Sequence, residues 1–211
     1  MDNLTHGHTS SGRLQLSKLE TLEDHIYQAL LRRVNLDITD ISSRFTAWDD
    51  ESSLHPLLNF KAQAIHHINV QGLTYSSFRN HSGNSFVLFQ VPTVPDQSST
   101  RTARQVQEVF MHERVTADGS SMQESFFVVK EYRSLSPAHS HLDPFEAIEH
   151  LDAKLYYNYF TDDAHVLQLS NIVSHFSSFI YIPNGIEEHC IVVRSLDRLC
   201  GFILKWIIAQ C

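Results

Sequence analysis

Apolar positions along the chain follow two rules, and the change from one to the other divides it. From Val106 to Val193 they come in short runs that alternate with polar positions or are apolar on both sides: "QVQEVFMHERV", "SFFVVKEY", "KLYYNYF", "HVLQLSNIVSHF", "SFIYIP" and "HCIVVRSL". Runs of this length, rich in Val, Ile, Phe and Tyr, predict strands. In "SFFVVKEY", Phe126 and Val128 share one face and Phe127 and Val129 the other, which predicts a strand covered on both sides and central in its sheet. In "KLYYNYF", Leu155, Tyr157 and Tyr159 alternate with Tyr156, Asn158 and Phe160. Turns are predicted at Asp118-Gly119 and at Asp162-Asp163. Upstream, "HINVQGLTYSSF" reads as strand signal around Gly72, "HSGNSF" as a turn, "SFVLFQV" as a short strand and Pro92 to Thr102 as a polar loop.

The N-terminal part has the other periodicity. Leu19, Leu22, Ile26, Leu30 and Val34 recur at helical spacing, and Ser17 with Glu20 fits a capping box, so a helix is expected from residue 17. Asp37 to Leu58 gives a second, weaker helical signal ending near Pro56. The predicted class is therefore mainly β (α+β): a small, partly open antiparallel β-barrel preceded by one or two helices. The expected divisions are a disordered start (1–16), a helical segment (17–58), the barrel (60–198) and an apolar tail (199–211). That tail, "LCGFILKWIIAQC", is shorter than the roughly 20 residues a helix needs to cross a bilayer. It is open between a last buried element and a stretch outside any evolved core.

Charge narrows the partners. The chain has 16 Lys plus Arg against 24 Asp plus Glu, a net of −8. The imbalance is concentrated in residues 84–198, with 8 basic and 15 acidic side chains, against 7 and 9 in residues 1–83. No basic stripe is present to release counterions from a phosphate backbone, so nucleic acid is a poor partner for this chain and a basic, histone-like peptide suits it better. A plain solvated acidic surface is the alternative. The three cysteines, Cys190, Cys200 and Cys211, form no C-x-x-C pair, and the polar start lacks the basic and apolar regions of a signal peptide. An intracellular, reducing compartment is expected.

Candidate chemistry is sparse. The pairs His139/His141, His66/His67 and His6/His8 and the run Asp49-Asp50-Glu51 have no third ligand at metal spacing, and turn or loop polarity accounts for them. There is no G-x-S-x-G elbow, no P-loop and no G-x-G-x-x-G turn among the seven glycines. A protein without catalytic function, metal or cofactor is expected.

Two resemblances point further. "VQEVFMHE", "ESFFVVKEYRS" and "LYYNYFTDDAHVLQLSNIVSHFSSFIYIP" resemble the strand succession of bromo-adjacent homology (BAH) domains, with Val106, Val109, Phe127, Val129, Tyr132, Leu155, Tyr156, Asp163, Val166 and Ile172 in the pattern positions. The order of "INVQGLTYSSFRNHSGNSFVLF", "VQEVFMHE", "SFFVVKEYRSL", "IVSHFSSFIYIP" and "IVVRSLDR" is similar to the C-terminal region of fungal transposases of the Kyakuja-Dileera-Zisupton and Plavaka type, whose catalytic acids lie upstream of the matching region. Together they imply a BAH-like, non-catalytic interaction module of transposon origin, acting on chromatin in the nucleus. The BAH resemblance implies recognition of histone tails, in some members through an aromatic cage around methyl-lysine. The side chains of matching chemistry are Tyr132, Tyr156, Tyr157 and Tyr159 with Asp162. Core filling is the competing reading for each tyrosine. A DNA-binding transposase tail, or a relic without selected activity, are the alternative functions.

Overall fold

The computed structural model describes residues 18–50, 54–90 and 101–196. Among the described residues ten strands and one α-helix follow one another: β1 (Leu19–Thr21), α1 (Asp24–Leu36), β2 (Lys61–Ala64), β3 (His67–Val70), β4 (Leu73–Ser76), β5 (Phe86–Gln90), β6 (Arg101–Val115), β7 (Ser121–Ser134), β8 (Ala153–Gln168), β9 (Ile172–Tyr181) and β10 (Cys190–Ser195). They gather into two compact units. One holds the described parts of Met1–Ser85 with Val106–Val129 and Asp163–Leu169, and the other Phe86–Gln105, Lys130–Asp162 and the described part of Ser170–Cys211. α1 shares its core with residues of β6, β7 and β8. The apolar tail and most of the Pro92–Thr102 loop lie outside the described residues, as does the expected disordered start.

The second unit is the barrel. Strand order β6-β5-β9-β10-β8-β7 returns from β7 to β6, so six antiparallel strands close a ring that the sequence reading left partly open. Closure follows from strand length. β6 has 15 residues, enough to pair with β5 through Phe86↔Gln105 to Gln90↔Arg101 while also pairing with β7. The ring's interior is filled by Leu88, Ala103, Tyr132, Tyr156, Phe176, Ile191 and Val193. Asp162 and Asp163 do not turn the chain. β8 runs straight through them for 16 residues and is turned at a 3-10 segment, Leu169–Asn171. Both carboxylates are exposed on β8, so neither pays the desolvation that would have ended the strand.

The first unit is built on the far part of the β6–β7 hairpin, turned at residues 116–120 with Gly119 at φ +81°. α1 covers it with Ile26, Tyr27, Leu30 and Val34, packed on Phe110, Phe126, Val128 and Val166. The helix starts at Asp24 and not at residue 17, because Leu19–Thr21 is drawn into antiparallel pairing with Lys61–Gln63, and Glu23 stands at the cap position without a side-chain cap bond. The second helix expected over Asp37–Leu58 is absent from the described residues. Asp40 accepts from Ser42 N–H at 3.0 Å and organises a 3-10 turn instead, the competition that Asp and Ser pose to helix. Asn35 then ties this stretch to α1, donating to Phe45 O and accepting from Phe45 N–H, each at 2.8 Å. β3 and β4 form a separate hairpin through Gln71 and Gly72, both at positive φ as a tight two-residue turn requires.

A buried histidine makes this unit acid-sensitive. His112 is fully buried, its Nε2–H donates to Asn59 O at 2.7 Å, and its Nδ1 has no partner. Burial pushes its pKa below the ordinary value; the nearby Arg114 adds to that, while the Asn59 bond, Glu113 and Glu124 oppose it. The unfolded chain therefore binds this proton first. Stability is full above a pH of about 6.5 and falls as the pH drops below it, with a slope of at most about 1.4 kcal/mol per pH unit. Urea denaturation between pH 7.5 and 5 in steps is expected to show a shallower acid loss in His112→Gln than in wild type; parallel curves would refute the assignment.

Candidate peptide-binding face

The outer wall of the barrel carries two aromatic pairs on one face, separated by Cys190 and Val192 and placed by strand register. β10 pairs with β8 through Cys190↔Tyr157 and Val192↔Leu155, and with β9 through Cys190↔Tyr181 and Val192↔Phe179. Since side chains alternate along each strand, Tyr157 and Tyr159 of β8, Cys190 of β10, and Tyr181 and Phe179 of β9 share one face. At the Leu155 end this face is roofed by Leu135, Leu142, Phe145 and Ile186. Tyr159, at the other end, is 41% exposed, and Phe179, in the Leu155 row but on β9, is 67% exposed.

The rings are held in pairs. Tyr157 and Tyr159 stack with centroids 5.2 Å apart and planes inclined by 15°, and Phe179 stacks on Tyr181 at 6.1 Å. Tyr157 is buried, and its hydroxyl is fixed by His139 Nδ1 at 2.8 Å and by Ser136, whose Oγ accepts from it at 3.2 Å. His139 thus serves to hold a tyrosine. Tyr159 lies open beside Glu188, which takes a hydrogen bond from its hydroxyl; partial burial and the Glu188 carboxylate raise its pKa, against the pull of Arg133. Burial and Glu188 likewise raise the Cys190 thiol, which points to Glu188 O at 3.7 Å.

The five side chains singled out in the sequence do not assemble into one cage. Tyr132 and Tyr156 point into the barrel, packed with Phe160 and Phe176, and burial pushes both hydroxyls up to about 12. Period-two alternation along β8 alone places Tyr156 opposite to Tyr157 and Tyr159. Asp162 is exposed further along β8, on the alternation of Asn158 and Phe160. The structure brings together only Tyr157 and Tyr159, and it adds Glu188, Tyr181 and Phe179, which sequence reasoning passed over. Phe179 and Tyr181 alternate in "SFIYIP", whereas Glu188 lies outside every stretch singled out, and joining the three to β8 requires a register that no local pattern encodes.

Other features select no ligand. In the first unit a cleft of about 620 Å³ is lined by groups of both signs, among them Glu20, Glu23, Glu108, His66 and Arg79. Among the described residues no three His, Cys, Asp or Glu side chains converge on a metal position, and no helix is long and apolar enough to cross a membrane. No protein-family model, curated protein or solved structure matches the chain.

Proposed function

We propose that this chain is a non-catalytic protein-interaction module that takes a basic peptide segment across the outer wall of its barrel, with the Tyr157–Tyr159 pair receiving a lysine side chain. The observation that carries this reading is the stacked pair itself, one ring buried and fixed and the other open, with the Glu188 carboxylate at its edge. Ring faces attract ammonium groups, methylated ones included, and a neighbouring carboxylate adds to the attraction. The acidic balance of residues 84–198 works in the same direction over longer distance. A BAH-like module reading histone tails in chromatin, derived from a fungal transposase, is the form of this function that the sequence resemblance favours. The DNA-binding alternative gains no support from the charge distribution.

The reading is tested by isothermal titration of the full chain with histone-tail peptides bearing unmodified and trimethylated lysine. Tyr159→Ala removes an exposed ring and leaves Tyr157 and the core in place. It is expected to weaken binding by about 2- to 30-fold, the range of one good cation–π contact. Unchanged affinity in Tyr159→Ala, or no binding of any peptide by wild type, would remove the proposal.

A further inference from the structure

Strand β9 is longer than the partner on one of its sides. β5 pairs with it only as far as Val87↔His175, with His175 Nδ1 3.1 Å from Phe86 O, while β10 pairs along the other side from Ser195↔Phe176 to Cys190↔Tyr181. Among the described residues nothing pairs with Ser177–Tyr181 on the β5 side. The polarity of the ladder identifies which backbone groups face that gap. Leu196 N–H donates to His175 O, so the odd-numbered residues of β9 address β10, and Ser178 and Ile180 present their N–H and C=O outward.

Among the described residues this edge is left unpaired, and its own sequence has neither charge nor proline to blunt it. From Phe176 to Ile182 there is no charge and no proline, and Phe179, Ile180 and Ile182 are each at least half exposed. Such a stretch is a template for another strand. Because the strands are staggered, this stretch of β9 projects past the end of β5.

We infer that β9 pairs antiparallel with β9 of a second copy of this chain, about a twofold axis at Phe179. In that register Ser178 and the second copy's Ile180 exchange both backbone hydrogen bonds, and so do Ile180 and the second copy's Ser178. Two large side chains meet small ones, Ile180 beside Ser178 on one face and Tyr181 beside Ser177 on the other, while the two Phe179 rings face each other at the close, non-hydrogen-bonded position. Because the segment is uncharged, two copies of a chain of net charge −8 meet along it without like-charge opposition between the paired residues. The area is that of a strand edge, so the dimer is reversible and concentration-dependent.

Sedimentation velocity of the full chain under reducing conditions, at concentrations from about 5 to 300 µM, tests this in the range where small interfaces associate. Wild type is expected to shift from monomer to dimer. Ile180→Lys, at an exposed position, is expected to weaken dimerisation at least tenfold while leaving the thermal melt of dilute monomer unchanged. The double variant Ser178→Glu with Ile180→Lys places each lysine opposite a glutamate of the other copy only in the inferred register, and is expected to restore the dimer. Wild type that stays monomeric throughout, a dimer indifferent to Ile180→Lys, or no restoration in the double variant each overturns the inference. None of these outcomes bears on Tyr159 and lysine recognition, which is read by a different variant and ligand.

Discussion

Glu131→Ala is expected to cost about 3 to 5 kcal/mol of folding stability, the penalty for leaving a buried charge without its partner. The charge is Arg104, whose side chain is 5% exposed and whose Nη2 reaches Glu131 Oε2 at 2.5 Å. Its guanidinium lies 4.4 Å from the Phe89 ring centre, its Nε donates to Thr102 Oγ1 at 3.3 Å, and its Nη1 has no partner. Burial lowers the arginine's pKa and Glu131 holds it up. Removal of Glu131 leaves the cation with Thr102 and a ring face, neither of which replaces a carboxylate in a water-poor site. The reverse change is milder. In Arg104→Met the stranded carboxylate is 21% exposed and retains access to water, so a loss of about 1 to 2 kcal/mol is expected. Arg104→Met with Glu131→Leu, which removes both charges, is expected near wild type, since buried pairs break even against apolar residues of similar size. Denaturant midpoints at unchanged m-value give all three differences. A loss under about 1 kcal/mol in Glu131→Ala would mean that Arg104 finds water when its partner is gone.

The order of sensitivities also shows what was legible in the sequence. Phe126 to Val129 read as covered on both faces, and all four are buried. The turn at Asp118-Gly119 was legible because positive φ selects glycine locally. Everything that depended on a distant partner was not. Leu19 has the spacing of a helical residue, yet its backbone pairs with Gln63, and that pairing decides its structure. Asp162-Asp163 has turn composition, yet the flanking residues hold β8 extended. In the candidate site, the separation of Tyr156 from Tyr157 and Tyr159 was already in the alternation of β8. The inward direction of Tyr132, and the arrival of Glu188 beside Tyr159, depend on pairing and loop paths that join residues far apart in the chain.

The second large effect tests that non-local core. Phe126→Ala is expected to destabilise the first unit by about 3 to 5 kcal/mol, the usual cost of deleting a buried aromatic ring together with the cavity it leaves. Phe126 is fully buried, stacks on Phe110 at 5.7 Å and meets the edge of His112 at 6.3 Å. Arg114 lies over the ring at 5.8 Å, so its loss also takes a ring face from a guanidinium that is 8% exposed and has an unpartnered Nη1. The cavity opens beneath α1, whose Ile26, Leu30 and Val34 pack into the same cluster. A lone helix of 13 residues is marginal in water, so α1 depends on this contact for its order. Native-state hydrogen exchange should therefore show amides of α1 losing protection in Phe126→Ala, while amides of β9 and β10, whose side chains belong to other clusters, keep more of theirs. Val115→Ala, in the same hairpin but 54% exposed, is the control and is expected to stay within about 0.5 kcal/mol of wild type. Equal loss of protection in α1, β9 and β10 would show that the two units unfold as one, and the helix would then have no separate dependence on this ring.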